Sequence, residues 1–291
     1  MVTFATNPLA TPTPHFDDVR LPNGIRLHFA QQGPSTGPAL LLLHGYTDSW
    51  FSFSRVLPLF RPEQRVVVPD LRGHGDSSRP SFARATEGEP PVAEPGTGDP
   101  AAGYRVTDLA EDVLHLMQAL RIPSAVVLGH SMGSFVARRV AALAEARVPK
   151  LILMGAGPTF DTPVARELKV AVDALTDPVD AEFVREFQAS TVFQDLQPAF
   201  MEAVIANSRR MPAAVWQALL NGQIDDDPPV GLQCRTLVLG GRQDRIFAPA
   251  EQSVLARQFP RGELELVDGV GHALHWESPA RFISALARFG V

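Results

Sequence analysis

The stretch Ala125-Val-Val-Leu-Gly-His-Ser-Met-Gly133 decides the fold. Its first four residues are apolar, the pattern of a strand buried on both faces. Its last five fit G-x-S-x-G, and an alanine-rich helical stretch, Met132 to Ala146, follows at once. The pentapeptide alone occurs by chance in many proteins, or as an ordinary glycine turn. Strand before and helix after are the setting that gives it chemical meaning. A sharp turn there pushes the Ser131 hydroxyl into the open. Glycines on both flanks let strand and helix approach closely. The backbone N–H of Met132 falls at a helix N-terminus, where it can donate to developing negative charge.

Outward from this point, strands and helices alternate. Upstream, Phe16–Arg20 and Ile25–Gln31 flank the turn residues Pro22-Asn23-Gly24 and read as a hairpin. Ala39-Leu-Leu-Leu-Leu43 and Arg65-Val-Val-Val68 read as buried strands, with helical spacing over Ser49 to Phe60 between them. Tyr104 to Leu120 is amphipathic, with Val106, Leu109, Val113, Leu116 and Leu120 on one face. Downstream come strands at Lys150–Met154, Thr236–Leu239 and Leu264–Val267, and helices at Pro249–Phe259 and Ser278–Phe289. This alternation predicts an α/β fold with a mostly parallel central sheet and helices on both faces. Chemistry in such a sheet belongs at the carboxyl ends of the strands.

Two segments break the pattern. Residues 83–102 carry four prolines and the charged Arg84, Glu87, Glu89, Glu94 and Asp99, with hardly any large apolar side chain. They read as a flexible acidic loop without an assigned role. Residues 157–231 contain no convincing strand. They read as four short helices near Thr162–Leu175, Val179–Ala189, Pro198–Arg210 and Pro212–Leu220, with prolines near their starts. The expected organisation is one core, 1–156 with 232–291, and a helical cap inserted at 157–231. Much of the proline excess, 26 in 291 residues, falls at the starts of those helices and in the acidic loop.

A serine hydroxyl is a poor nucleophile without a base, and the base needs an orienting acid. Gly240-Gly-Arg-Gln-Asp244 and Gly269-Val-Gly-His272 each follow a strand end, which brings Asp244 and His272 to the rim that carries Ser131. His130 lies inside the turn and is too constrained to act as base. His275 is the nearest rival, but His272 directly follows the glycine turn. Asp268 stands too close to His272 in sequence to orient it easily. The run Asp225-Asp-Asp227 reads as a solvated loop or helix end, with no histidine or glutamate at ligand spacing. His44-Gly-Tyr46 follows a buried strand, so the Tyr46 N–H is the candidate second oxyanion donor. Asp70-Leu-Arg-Gly-His-Gly-Asp-Ser77 reads as a structural turn, with Arg72 and Asp76 available to bond loop backbone.

Composition narrows the class. A net charge of −6 lacks the basic footprint of a nucleic-acid binder. The single cysteine, Cys234, allows no intramolecular disulfide and no cysteine zinc cluster, and reads as a small buried hydrophobe. The longest clean apolar run, Ala39 to Leu43, is far short of the roughly 18 residues of a membrane span. Met1 to Arg20 shows no secretory signal pattern. A cytoplasmic monomer or homodimer is expected, with no metal, no cofactor and no nucleic-acid partner.

Together these motifs resemble the α/β-hydrolase fold family, in particular its compact bacterial members with a helical cap. The resemblance runs from about residue 16 to the C-terminus and includes Gly271-His-Ala-Leu-His-Trp-Glu277. It implies Ser131 as nucleophile, Asp244 as acid and His272 as base, with Tyr46 and Met132 forming the oxyanion hole. Haloalkane dehalogenases and epoxide hydrolases of this fold use an aspartate where this chain has Ser131. Epoxide hydrolases also use cap tyrosines, whereas Tyr46 and Tyr104 both fall outside the expected cap. Carbon–carbon hydrolases usually carry tryptophan after the base, where this chain has Ala273. The expected reaction is therefore cleavage of a hydrophobic short or medium carboxylic ester. Carbon–carbon, lactone or perhydrolytic chemistry and non-catalytic ligand binding are the alternatives. Phe160, Phe183, Phe187, Phe193, Met201, Met211 and Trp216 supply apolar surface to the cap. Trp50 and Leu274, beside the catalytic loops, are expected as pocket walls along with Phe160, Phe187 and Trp216.

Overall fold

The computed structural model describes residues 13–80, 101 and 103–291. Apart from Ala101, the acidic segment 83–102 lies outside the described residues. Among them, eight strands form one sheet: β1 (His15–Arg20), β2 (Arg26–Gln32), β3 (Ala39–Leu43), β4 (Val66–Pro69), β5 (Ala125–His130), β6 (Lys150–Met154), β7 (Arg235–Gly241) and β8 (Gly262–Val267). Their spatial order is β1-β2-β4-β3-β5-β6-β7-β8. The hairpin strands are antiparallel, and β2 meets β4 antiparallel; from β4 to β8 every pairing is parallel. Strand β5, which leads into Ser131, thus sits near the centre of the sheet, between β3 and β6.

The alternation of side chains along each strand divides the core in two. Leu41, Leu43, Val67, Leu151 and Leu153 enter one apolar cluster, with helices α1 (Val106–Ala119) and α2 (Met132–Leu143). Leu40, Leu42, Val66, Val68, Ile152 and Met154 enter the other. Both sets are almost fully buried, as strands covered on both faces must be.

Four helices lie between β6 and β7: α3 (Pro163–Asp173), α4 (Ala181–Ser190), α5 (Pro198–Ser208) and α6 (Ala213–Ile224). Pro163 and Pro198 open their helices, Pro212 caps α6, and Thr162 and Asp180 cap α3 and α4 through side-chain oxygens. Buried side chains of this insertion, Val184, Trp216 and Leu219 among them, join the cluster that holds α1 and α2. Helices α7 (Pro249–Arg257), α8 (Leu274–Glu277) and α9 (Pro279–Arg288) complete the chain.

The expected helix over Ser49 to Phe60 is instead two 3₁₀ turns, Trp50–Phe53 and Leu57–Leu59. Pro58, which has no N–H to give an α-helix interior, sits inside the second turn and prevents one continuous α-helix through the stretch. The single turn α8 was too short to carry a helical period in the sequence.

Candidate active site

Ser131 leaves β5 at φ 51° and ψ −121°, in the left-handed region that non-glycine residues seldom occupy. Its N–H donates to the Met154 carbonyl at 2.9 Å, and its own carbonyl accepts the Ser134 N–H at 2.8 Å and hydroxyl at 2.6 Å. These bonds fix the turn from both sides. The flanking glycines are steric necessities. A Cβ on Gly129 would lie 2.0 Å from the Gly133 carbonyl oxygen, and one on Gly133 would lie 2.3 Å from that of Leu43. The helix that starts at Met132 is pressed against the end of β3 for that reason. The N–H of Met132, first in α2, has no acceptor within the helix.

The sheet brings Asp244 and His272 to the same rim. His272 Nδ1 is 3.0 Å from Asp244 Oδ2, and both side chains are nearly inaccessible. Asp244 is itself held by the Ile246 and Phe247 N–H groups, which donate to Oδ1 at 2.9 and 3.0 Å. Its imidazole-facing oxygen is thereby aimed. Gly155, with φ 54°, sits under the imidazole: a Cβ there would be 2.9 Å from His272 Nδ1. The rivals are engaged elsewhere. His275 Nε2 meets the Ser52 hydroxyl at 2.9 Å, His130 Nε2 meets the His272 carbonyl at 3.2 Å, and Asp268 is exposed beside Arg242. Burial holds His130 and His275 well below the ordinary histidine range, so both are neutral.

Ser131 and His272 open on one cavity of about 250 Å³. Phe160, Phe187 and Tyr46 line it, as do Phe247, Ile246, Leu168 and Trp276. The wall expected of Trp50, Trp216 and Leu274 is absent. Trp50 packs edge-on against Phe16, 4.6 Å between ring centres, because its N–H is drawn to Asp70 Oδ1 at 2.7 Å. Leu274 is wholly buried under the sheet with Phe53 and Phe282. Trp216 stands one layer behind the wall: its ring abuts Tyr46 and Phe187, and its carbonyl accepts the Tyr46 hydroxyl at 2.6 Å.

Sequence reasoning missed Asp48 and Gln188, both buried and both on the cavity wall. Asp48 stands two residues past Tyr46 in a loop at a strand's carboxyl end, and that placement was the available signal. Gln188 carries no such mark on an amphipathic helix.

The loop after β4 is structural, with a different division of labour than expected. Asp70 accepts the N–H groups of Trp50 and Asp76, and Arg72 forms a buried ion pair with Asp112 at 2.5 Å while bonding the Gly103 and Asp108 carbonyls. The Asp76 side chain pairs with Arg210 of the insertion instead of loop backbone. His28, Asp70 and Asp76 bring metal-capable atoms within 4.8 Å of one another, but both Asp70 oxygens already accept backbone N–H. Asp226 of the acidic run is not free in solvent; Arg139 binds it at 2.6 Å. No helix among the described residues is long and apolar enough to cross a membrane.

A family model described as the alpha/beta hydrolase fold matches residues 38–176. The chain is 25% identical over 282 residues to the AB hydrolase superfamily protein YfhM of Bacillus subtilis (strain 168), spanning 89% of this chain and 92% of that one. It is 26% identical over 283 residues to the 2-hydroxymuconate semialdehyde hydrolase of Pseudomonas sp. (strain CF600), spanning 91% and 90%. A thermophilic esterase from Thermogutta terrifontis superposes with a TM-score of 0.73 at 24% identity, over 94% of this chain and 97% of that one. The chain has the α/β-hydrolase fold. Hydrolases of several bond types are among the proteins it resembles.

Proposed function

We propose that this chain is a serine hydrolase that cleaves a carboxylic ester through an acyl-enzyme. The observation that carries the reading is the shared apolar cavity onto which Ser131, on its positive-φ turn, and His272, paired with Asp244, both open. His272 takes the Ser131 proton as the oxygen attacks the ester carbonyl. Asp244 holds the imidazole by Nδ1, which leaves Nε2 to act as base, and it stabilises the imidazolium that forms. The N–H groups of Tyr46 and Met132 receive the oxyanion, each worth ~3–4 kcal/mol in sites of this kind. His272 then protonates the departing alcohol, and water resolves the acyl-enzyme. Residues 157–231 serve as a cap over a core of 1–156 and 232–291, and supply Phe160, Leu168 and Phe187 to the acyl pocket.

Lactone opening follows from the same steps. Carbon–carbon hydrolysis is the weaker alternative, because Ala273 stands after His272 where those enzymes usually carry tryptophan. A p-nitrophenyl ester panel from C2 to C12 tests the reading. Turnover on short or medium chains, abolished by a serine-directed phosphonate, is expected. No turnover on any member would refute it.

A further inference from the structure

We propose that Asp48 makes this cavity selective for uncharged acyl substrates and bars those carrying a carboxylate. The inference deepens the ester-hydrolase reading and rests on it only for the bond that is cleaved. Asp48 lies 5% exposed on the wall shared by Ser131 and His272. The Ser52 hydroxyl donates to its Oδ2 at 3.2 Å, and that hydroxyl also meets His275 Nε2 and the Trp276 indole N–H. Among the described residues it has no cationic partner. The groups facing it are neutral: Gln188 from α4, His275 through Ser52, and His130, whose Nδ1 crowds the same Gly45. His272, across the cavity, is the one ionisable base whose charge acts on it, and it attracts the carboxylate. Arg55 is turned to the Trp276 carbonyl.

A carboxylate in a wall of phenylalanine and leucine, with no cation beside it, is poorly placed to tolerate a second one. Glu167 at the rim adds the same sign. Two unit charges about 6 Å apart at an effective dielectric near 20 repel enough to shift an equilibrium on the order of 100-fold. Burial pushes the Asp48 carboxyl up to about 7, so the exclusion strengthens as pH rises past that value. An uncharged acyl chain is what both features accept.

The test uses the full chain and Asp48→Asn at pH 8, with two pairs of six- and seven-carbon probes. Binding of 2-heptanone and 6-oxoheptanoate is measured by ligand-observed NMR, independent of turnover. Hydrolysis of p-nitrophenyl hexanoate and mono-p-nitrophenyl adipate is measured as kcat/KM. The wild type is expected to favour the neutral member of each pair by about 100-fold, and D48N to narrow that preference by tenfold or more. A D48N ratio equal to wild type, equal binding of both ketones, or no binding of the neutral one overturns the proposal. If the ketones discriminate as expected while neither ester turns over, the ester reading fails and the charge rule stands.

Discussion

The Glu277 carboxylate accepts the backbone N–H of Gly271, at 2.9 and 3.0 Å to its two oxygens, one residue before His272. The same carboxylate accepts the N–H groups of Phe193 and Gln194 at 3.0 Å each. His272 in turn donates its N–H to the Thr191 carbonyl at 3.1 Å. The His272 loop is therefore bonded to the segment 191–194 directly. Gly271 permits the approach, since a Cβ there would be 2.8 Å from the Phe193 nitrogen.

Glu277→Gln replaces one acceptor oxygen with an amide NH₂ that faces donors. Leaving buried N–H groups unmatched costs about 1–3 kcal/mol each. Urea unfolding should show a loss in that range or above. In the surviving folded enzyme kcat should fall more than KM rises, because the base and not the pocket is displaced. An unchanged kcat in folded E277Q would show that the staple does not position His272.

Arg138, on α2, is wholly buried and binds carbonyls at both ends of the insertion: Gly157 and Pro158 where it begins, Pro228 and Pro229 where it closes. Desolvation brings its pKa down to about 10, so it remains charged at neutral pH. Arg138→Lys cannot span four carbonyls with one ammonium. Hydrogen exchange should quicken at 157–160 and 226–231 before it does in the sheet. Uniform quickening over the whole chain would assign Arg138 to general stability only.

Asp48 also ties stability to pH. Its folded pKa, about 7, lies above the ordinary value of 3.8, so the proton is held more tightly in the folded chain. The stabilisation is complete below about pH 4 and is lost as pH rises through 7, amounting to at most about 4 kcal/mol. Asp70, pushed up to about 6, contributes with the same sign. Unfolding measured at pH 5 and pH 8 should show wild type weaker at pH 8 and D48N with a shallower fall. Identical slopes would place Asp48 outside the account.

The contrast between two aspartates tests the orienting acid. Asp244 holds His272 Nδ1 from a buried position, and Asp268 is exposed against Arg242. Asp244→Asn should lower kcat by about 10⁴, the cost of a wrong imidazole tautomer, and Asp268→Asn by less than about twofold. The reverse ranking would assign the acid to Asp268.

The strand positions, the four inserted helices and the Ser131 turn were legible because each rests on local signals. Buried strands read as short apolar runs, helix starts as prolines and caps, and the turn as glycines around a serine. Asp244 and His272 were legible because they follow strand ends. The cavity wall was not. Trp50 and Leu274 stand beside the catalytic loops in sequence, yet their side chains point to Phe16 and to the underside of the sheet. Trp276 and Phe247, on the same loops, point in. Which face a loop residue presents depends on bonds such as Trp50 N–H to Asp70, made across 20 residues. The Glu277 staple joins positions 84 apart and left no periodic mark.

The most direct measurement is covalent labelling of Ser131. An alkyl fluorophosphonate incubated with wild type should add one equivalent, located by mass spectrometry on the peptide holding residues 125–138, with hexanoate ester turnover lost in parallel. Ser131→Ala should take up no label and lose kcat on the order of 10⁶. Label on another residue, or undiminished turnover by S131A, would contradict the assignment of Ser131 as the nucleophile.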